Sequence, residues 1–388
     1  MLTGAGLARF RKKLLAWFVE SQRDLPWRRT RNPYHIWLSE VMLQQTRVAA
    51  VIPYYARFLE AFPGVRALAE APEEEVLRHW AGLGYYARAR NLRKAARQIV
   101  TEHGGEFPND PERARALSGI GAYTAAAILS IAYGRKLAVL DGNVARVLAR
   151  LAGVRGDLRG GGRWARLQQT ADELLAPDEP GNWNQAMMEL GATVCTPRSP
   201  QCLLCPVVKY CEAHKRGLAN VIPEKRRQRD AVEITLAVLV VVDRQGRTLL
   251  LPHRRSATNN EGRHAVATLL SSMWHFPTVP VEQNAERELR ACAARAIFFG
   301  RKFDGNLRAL GKVKHAVTYR QITVIPFRLD IAELPRVRGA KVLPLGDLSA
   351  VPVSNLTRKV ANAALSREVS PAIEGVKGAA LGFHQLVE

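Results

Sequence analysis

The sequence feature that most restricts the fold is a group of four cysteines near the middle of the chain. Of the five cysteines, Cys195, Cys202, Cys205 and Cys211 form the pattern C-x6-C-x2-C-x5-C. A secreted, disulfide-linked protein does not distribute its cysteines in this way. Four thiolates in one short loop can ligate a zinc ion or an iron-sulfur cluster, and the cysteines alone do not decide between the two. Two CxxC pairs would favour zinc, whereas this loop has only one.

The loop that carries these cysteines is expected to have a structural role. A metal centre without a vacant ligand position usually holds a loop in place and does not react with substrate. Lys209, Lys215 and Arg216 lie beside the cysteines and are expected to face phosphate. The fifth cysteine, Cys292, stands alone and is expected to be a small buried hydrophobe.

The charge balance indicates a polyanionic partner. The chain has 57 Lys and Arg residues against 35 Asp and Glu, which gives a formal net charge of +22. Such an excess attracts the phosphates of nucleic acid, with an anionic membrane surface as the competing partner. The longest apolar stretch, Ile234 to Val242, is well short of the roughly 20 residues that cross a bilayer, and the amino terminus lacks a signal-peptide pattern. We therefore expect a cytoplasmic, nucleoid-associated monomer with no membrane partner.

The period of the apolar residues divides the 388-residue chain into domains. Over 1–213 these residues repeat at three- and four-residue steps, which predicts helices, one of them from Tyr34 to Tyr55. The basic stretch 214–232 has the composition of an exposed linker. Over 233–352 the pattern changes to strands with one helix, and it begins with a strand, hairpin loop and strand. We expect an all-α domain that carries the cysteine loop, then an α/β domain with an inserted segment at 256–272, then a C-terminal tail at 353–388.

A glycine turn and a later aspartate are candidate functional residues. Leu117 to Gly121 separates two helical segments, and Gly119 and Gly121 permit a tight turn whose N–H groups can bind a phosphate. The Gly-Ile-Gly motif is weak by itself, because ordinary helix connections also contain it. Asp141 can cap the helix that begins near Asn143, and the hydrogen bonds of a cap together with the helix dipole favour the ionised form.

Together, the hairpin, Asp141 and the cysteine spacing resemble the helix-hairpin-helix DNA glycosylase superfamily, which includes endonuclease III. Lyase-competent members carry a lysine nucleophile two residues after the second hairpin glycine, where this chain has Tyr123. The resemblance narrows to the MutY-type adenine DNA glycosylases over residues 7–212. It implies a 4Fe-4S cluster on the four cysteines and duplex DNA as the substrate. The segments that carry it are Leu25 to Trp27, Trp37 to Thr46, Gly82 to Arg88 and Asn184 to Met188.

Two carboxylates receive roles from this resemblance. From the residues alone, Glu40 is either solvated helix surface or, if its helix lines a pocket, an acid whose pKa is raised by desolvation. In the family, the matching position protonates a ring nitrogen of adenine, and the position of Asp141 stabilises or captures the sugar cation. Tyr123 and Asn143 are expected to position Asp141, the sugar and water. Without a lysine at position 123, no efficient lyase step is expected.

The resemblance also implies contacts with both bases of the mispair. Residues that line the adenine pocket in relatives correspond to Trp27, Arg28 and Gln185. Extrusion of a base leaves a gap in the duplex, and Gln45 and Tyr85 are the candidate wedges that fill it. In the family, 8-oxoguanine opposite the adenine is contacted by the regions that match Gln45 with Thr46 and Leu83 with Tyr85.

The second domain, 233–352, resembles the Nudix-type, MutT-like domain that adenine glycosylases use to recognise 8-oxoguanine. A working Nudix hydrolase needs a Glu-rich helix for divalent cations, and the corresponding segment offers only Glu286 and Glu288. We therefore expect no pyrophosphatase activity. At the loop that reads the lesion in relatives, this chain keeps a hydroxyl at Thr318 and lacks the flanking Phe and His.

The expected function is base-excision repair by a monofunctional glycosylase that removes adenine mispaired with 8-oxoguanine or guanine in duplex DNA. Two alternatives remain open. A thymine or uracil mismatch glycosylase can also carry a tyrosine at the lysine position and the same cluster, although such enzymes generally lack a long C-terminal domain. A catalytically silent iron-sulfur DNA-binding module would use the hairpin and the cluster only to hold phosphate.

Overall fold

The computed structural model describes residues 3–224, 230–252, 273–298, 305–317 and 319–366. The chain divides into two compact units, one made of Met1–Val232 with Ser349–Asn355 and the other of Glu233–Leu348 with the chain from Leu356 onward. Across the described ranges, no helix combines the length and the apolar character that crossing a bilayer requires.

The first unit is helical throughout its described residues, as predicted. Three short 3-10 turns accompany its helices at Pro26–Arg28, Cys202–Leu204 and Val208–Tyr210. The helices are α1 (Gly4–Ser21), α2 (Pro33–Leu43), α3 (Val48–Ala61), α4 (Val65–Glu70), α5 (Glu73–Trp80), α6 (Ala87–Glu102), α7 (Pro111–Ala116), α8 (Ala122–Tyr133), α9 (Gly142–Ala152), α10 (Arg163–Leu174), α11 (Pro180–Thr193) and α12 (Glu212–Lys215).

The core of this unit forms around α8 and α11. Helix α8 is apolar along nearly its whole length and packs against α2, α7 and α11, so it is buried on most sides. Helix α1 contributes Phe10, Leu14 and Phe18, whose three- and four-residue spacing puts them on one helix face; this face is fully buried and joins Trp183 of α11 in one hydrophobic cluster. This packing brings residues from distant parts of the sequence to one place between α2, α8, α9 and α11.

The helix predicted from Tyr34 to Tyr55 is wrong as a single element. The chain leaves the helix after Leu43 and re-enters it at Val48, because Gln45 adopts a left-handed conformation with φ of +57°. The amide of Thr46 bonds to the carbonyl of Leu43 and closes a turn at this break. No glycine or proline marks the break, so the apolar period gave no signal of it.

The second unit is a mixed α/β domain, which confirms the predicted class and order. Its sheet has the path β3-β2-β1-β7-β5, with β4 paired to β1, β6 to β7 and β8 to β2. The predicted hairpin is present between β1 and β2. The strands are β1 (Val232–Val242), β2 (Arg247–Pro252), β3 (Trp274–His275), β4 (Thr278–Pro280), β5 (Arg308–Ala309), β6 (Val313–Val317), β7 (Arg320–Asp330) and β8 (Lys341–Pro344), and the helices are α13 (Ala285–Ala296) and α14 (Asn355–Leu365).

Two segments differ from the predicted domain plan. The expected tail contains helix α14. The segment Ser349–Asn355, which ends at the first residue of α14, belongs to the first unit, where the main chain of Val353 accepts a hydrogen bond from Tyr86. The beginning of the expected linker is also folded, because Ile222 is buried in the core of the first unit and its carbonyl accepts from Arg150. The inserted segment predicted at 256–272 lies outside the described residues.

Candidate active site

A cavity of about 660 Å³ lies in the first unit between the end of α2, the start of α8, the start of α9 and α11. Its size suits a ligand as large as a nucleoside. It gathers side chains that are far apart in the sequence, among them Trp27, Arg28, Glu40, Gln45, Thr46, Tyr123, Asp141, Asn143 and Gln185. The residues predicted for the acid, the anion and the adenine pocket therefore share one cavity.

Glu40 is a buried acid on the α2 wall of this cavity. It is 8% exposed, and Oε2 accepts one hydrogen bond of 2.8 Å from the hydroxyl of Tyr123. Burial raises the pKa of Glu40 to about 7, with the charge of Asp141 adding to the effect and the Tyr123 hydrogen bond opposing it. A carboxyl group in this environment holds a proton near neutral pH. The solvated-surface interpretation of Glu40 is therefore wrong.

Asp141 also lines the cavity, as the N-cap of α9. Oδ1 accepts from the amide of Val144 at 2.7 Å and Oδ2 from Nδ2 of Asn143 at 3.1 Å. The expectation that capping holds its pKa low is not met, because burial raises the pKa of Asp141 above its ordinary value. The hydrogen bonds and the charge of Arg146 oppose that rise. The charge of Asp141 is thus stabilised by hydrogen bonds from Val144 and Asn143, whereas Glu40 accepts one hydrogen bond, from Tyr123.

Sequence reasoning missed three charged residues that line the cavity, namely Arg23, Arg159 and Glu189. Glu189 is 1% exposed, and it accepts from Arg28 at 2.7 Å and from the main chain and guanidinium of Arg23 at 2.7 to 3.1 Å. Burial favours the neutral form, but the hydrogen bonds from Arg23 and Arg28 lower the pKa of Glu189 to about 2. Arg159 also lines the cavity. Glu189 lies four residues after Gln185, and that helical spacing was the available signal.

The predicted DNA-contact residues lie at the rim of the cavity or outside it. Gln45 is exposed and lines the cavity with Thr46, whereas Tyr85 and Leu83 do not line it. Tyr85 is 40% exposed and so is not a core residue, while Leu83 is buried. Thr318 lies outside the described residues.

The hairpin glycines are also outside the cavity. Gly119 has φ of +77°, and a Cβ at that position would come within 2.7 Å of Asn91, so both backbone and space require glycine. Gly121 is the N-cap of α8. Phosphate binding at this turn stays a prediction.

The cysteine loop has the properties of a cluster site. The four cysteines of the loop line one small cavity together with Arg150, and none of the four forms a disulfide. Within the described ranges, no three Cys, His, Asp or Glu side chains lie where they could hold one metal ion. Burial and the neighbouring thiols raise the pKa of Cys205 to about 12, and iron would stabilise the thiolate form.

Comparison with known proteins identifies the family. The family model for HhH-GPD superfamily base excision DNA repair proteins matches residues 38–160, and that for the iron-sulfur binding domain of endonuclease III matches residues 195–211. An adenine DNA glycosylase of Rattus norvegicus is 34% identical, with 92% of this chain and 78% of that protein aligned. An adenine DNA glycosylase of Homo sapiens is also 34% identical, with 92% of this chain and 74% of that protein aligned. This chain belongs to the adenine DNA glycosylase family.

As a member of the adenine DNA glycosylase family, the chain carries an iron-sulfur cluster of the 4Fe-4S type on its cysteine loop. The alignments with adenine DNA glycosylases cover both units. A thermostable thymine-DNA glycosylase of known structure is 29% identical with a TM-score of 0.50, and it covers 54% of this chain and 97% of its own. The thymine-DNA glycosylase therefore shares its fold with about half of this chain, whereas the rat and human adenine DNA glycosylases align with 92% of it.

In this adenine DNA glycosylase family member, one arginine connects the cysteine loop with the active site. Arg146 of α9 donates to Oδ1 of Asn143 at 2.9 Å and to the carbonyl of Cys195 at 2.9 Å. Asn143 in turn donates to Asp141. The predicted positioning residue Asn143 is thus fixed from both sides, and the cysteine loop supports the wall that holds Asp141.

Proposed function

We propose that this protein is a monofunctional adenine DNA glycosylase that excises adenine opposite 8-oxoguanine or guanine in duplex DNA. The observation that carries the proposal is the pair of carboxyl groups in one nucleoside-sized cavity, Glu40 with a pKa of about 7 and Asp141 capped by donors. Pairs of acids whose pKa values are separated by their environments do acid and electrostatic work on a glycosidic bond.

Glu40 supplies the proton. Adenine leaves readily only when a ring nitrogen is protonated, because the electron pair of the broken bond between the sugar C1′ and N9 then remains on a neutral base. A carboxyl group with a pKa of about 7 is protonated in a large fraction of molecules at neutral pH and still gives up its proton easily. Tyr123 holds the carboxyl group in position through its hydrogen bond.

Asp141 faces the positive charge that forms on the sugar. As the bond to adenine breaks, an oxocarbenium-like cation develops, and a fixed anion lowers the free energy of that state. Asn143 orients the carboxylate of Asp141 by donating to Oδ2. Water then forms the new bond to C1′ and loses a proton to the Glu40 carboxylate, which restores the starting state. When bound, the cluster supplies a rigid support for the loop beside α9.

The proposal excludes an efficient strand-cutting step. A lyase of this superfamily needs an amine to form a Schiff base with the sugar, and Tyr123 offers a hydroxyl at the corresponding position. The product is therefore an abasic site in an intact strand.

The duplex partner and the cellular location are part of the same proposal. The net charge of +22 supports binding to the phosphates of duplex DNA, and we place the protein on the nucleoid in the cytoplasm. The exposed residues Gln45 and Tyr85 are proposed to fill the gap that the everted adenine leaves. Recognition of 8-oxoguanine is assigned to the same rim and to the second unit.

Single-turnover cleavage of labelled oligonucleotides tests this function. Adenine is placed opposite 8-oxoguanine, guanine, cytosine or thymine, and each reaction is analysed with and without alkali. We expect fast release opposite 8-oxoguanine and guanine, slow release opposite cytosine and thymine, and strand breaks only after alkali. Release of thymine from a thymine-guanine mispair in place of adenine would favour the mismatch alternative, and binding without any base release would favour the silent module.

A further inference from the structure

Two exposed residues, Gln45 at the cavity and Tyr85 outside it, are held in a strained backbone conformation. Gln45 has φ of +57° and Tyr85 has φ of +48°, and neither is a glycine. Residues with side chains rarely adopt this left-handed region, and they remain there only when the surrounding structure fixes them. The two lie in different loops, Gln45 between α2 and α3 and Tyr85 between α5 and α6. Some contact must therefore hold both loops.

Arg88, in the first turn of α6, makes that contact. One terminal nitrogen donates to the carbonyls of Val41 and Met42, each at 2.9 Å, and also to that of Gln44. The other donates to the hydroxyl of Thr46 at 3.2 Å and to the carbonyl of Gly84 at 3.2 Å. The guanidinium thus binds the residues on both sides of Gln45 and the residue before Tyr85.

The surroundings of Arg88 are unusual for a partly buried charge. No carboxylate is among its hydrogen-bond partners within the described ranges, and its acceptors include carbonyls at the C-terminal end of α2, where the helix dipole favours a cation. The guanidinium also lies 5.3 Å from the ring centre of Trp80 and 5.4 Å from that of Tyr85. Burial lowers the pKa of Arg88 to about 10. The Arg88 guanidinium therefore joins the two loops by hydrogen bonds from its nitrogens and by cation–π contacts with Trp80 and Tyr85.

We propose that Arg88 is a positioning residue that locks Gln45 and Tyr85 together as one DNA-inserting element. This inference rests on the proposed function, because insertion matters only to an enzyme that everts a base from a duplex. Arg88 itself touches neither the everted base nor the reacting atoms. A lysine cannot replace it, since one ammonium group cannot reach carbonyls of two loops in the planar fork geometry of a guanidinium.

The test is a double-mutant cycle measured by single-turnover adenine release. Arg88→Met is made in the native protein and in a Gln45→Ala/Tyr85→Ala background. In the native background we expect a loss on the order of 10²-fold with adenine opposite 8-oxoguanine or guanine, as when a reacting group is misplaced. In the double-alanine background we expect less than about threefold further loss, because Arg88 then has nothing left to position.

A second substrate separates positioning from general damage. Adenine opposite a tetrahydrofuran abasic analogue has no pair to break, so the Arg88→Met variant should lose much less of its native rate on that duplex. Arg97→Met is the matched control, since Arg97 also lies on α6 and also donates to a main-chain carbonyl, that of Ala69. We expect it to keep native rates on both substrates. Arg88→Lys is expected to show the same substrate dependence with a smaller loss, and it carries the test if the Met variant does not fold.

Equal losses on both duplexes, or additive losses in the cycle, would overturn the inference. The native protein in the same assay keeps the two proposals apart. If it releases no adenine, the proposed function fails. If it releases adenine and the Arg88 variants lose rate without regard to the opposite position, only the role of Arg88 fails.

Discussion

Two buried glutamates that line the same cavity have opposite electrostatic properties. Glu40 on α2 is 8% exposed, has one hydrogen-bond donor, and has a pKa of about 7. Glu189 on α11 is 1% exposed, accepts from two arginines, and has a pKa of about 2. Burial penalises the charge of both, and only Glu189 has cations to offset that penalty. The number and charge of the donors therefore decide which glutamate can act as an acid and which one fixes the pocket wall.

Replacement of Glu40 by glutamine should have the largest effect on activity. We expect adenine release to fall by about 10²- to 10⁴-fold, the range for loss of a general acid, with duplex affinity nearly unchanged. Single-turnover rates and a binding titration measure the two quantities. Glu60→Gln, on the exposed surface of α3, is the control. Turnover at the native rate in the Glu40 variant would show that another group donates the proton.

The same substitution should stabilise the fold at alkaline pH. The folded pKa of Glu40 is raised from 4.5 to about 7, so the ionised form is disfavoured in the folded state. No penalty is present below pH 4.5. The penalty grows as pH rises, and it reaches about 3 kcal/mol above pH 7. The Tm of Glu40→Gln should therefore exceed that of the native protein more at pH 8.5 than at pH 5.5.

Glu189→Gln should have the opposite effect on stability. It removes a buried anion and leaves Arg23 and Arg28 without a charged partner, which costs about 3 kcal/mol where a buried pair is broken. Its Tm should fall at both pH values, because Glu189 with a pKa of about 2 is ionised throughout. Adenine release should fall less than in Glu40→Gln, with the loss mainly in substrate binding. A rise in Tm would contradict the contrast between the two walls.

The sequence predicted one of these glutamates and not the other, for a physical reason. The apolar period predicted a helical first domain, and the residues around Asp141 predicted a helix cap, which the structure confirms. Packing of α2 against α8 brings Glu40 and Tyr123 together, and Asp141 reaches the same cavity from the start of α9, which a local pattern does not describe. The role of Glu40 came from the family resemblance. Glu189 was missed because its partners come from a different segment, at Arg23 and Arg28, and only its helical spacing from Gln185 pointed to it.

The break after Leu43 shows the same limit. Helix propensity favours one continuous helix through Gln44 and Gln45, and the left-handed residue at the break is stabilised by Arg88, which lies more than forty residues later in the sequence. Tertiary contacts therefore decide the backbone at the very place where the proposed wedge leaves the helix.

Of these substitutions, Tyr123→Phe should change adenine release least. It tests directly whether the hydrogen-bond donor of Glu40 helps to set the pKa that distinguishes Glu40 from Glu189. The Tyr123 hydroxyl stabilises ionised Glu40, so its removal raises the pKa of Glu40 further. The rate of adenine release depends on protonated Glu40 and falls as pH rises through that pKa. The falling limb should therefore move to higher pH by about 0.5 to 1 unit, as expected for one hydrogen bond. Tyr133→Phe is the matched control, because Tyr133 lies on the same helix and donates to the carbonyl of Phe107, away from the cavity. A limb that stays in place, or moves to lower pH, would mean that the single donor does not set the acidity of Glu40.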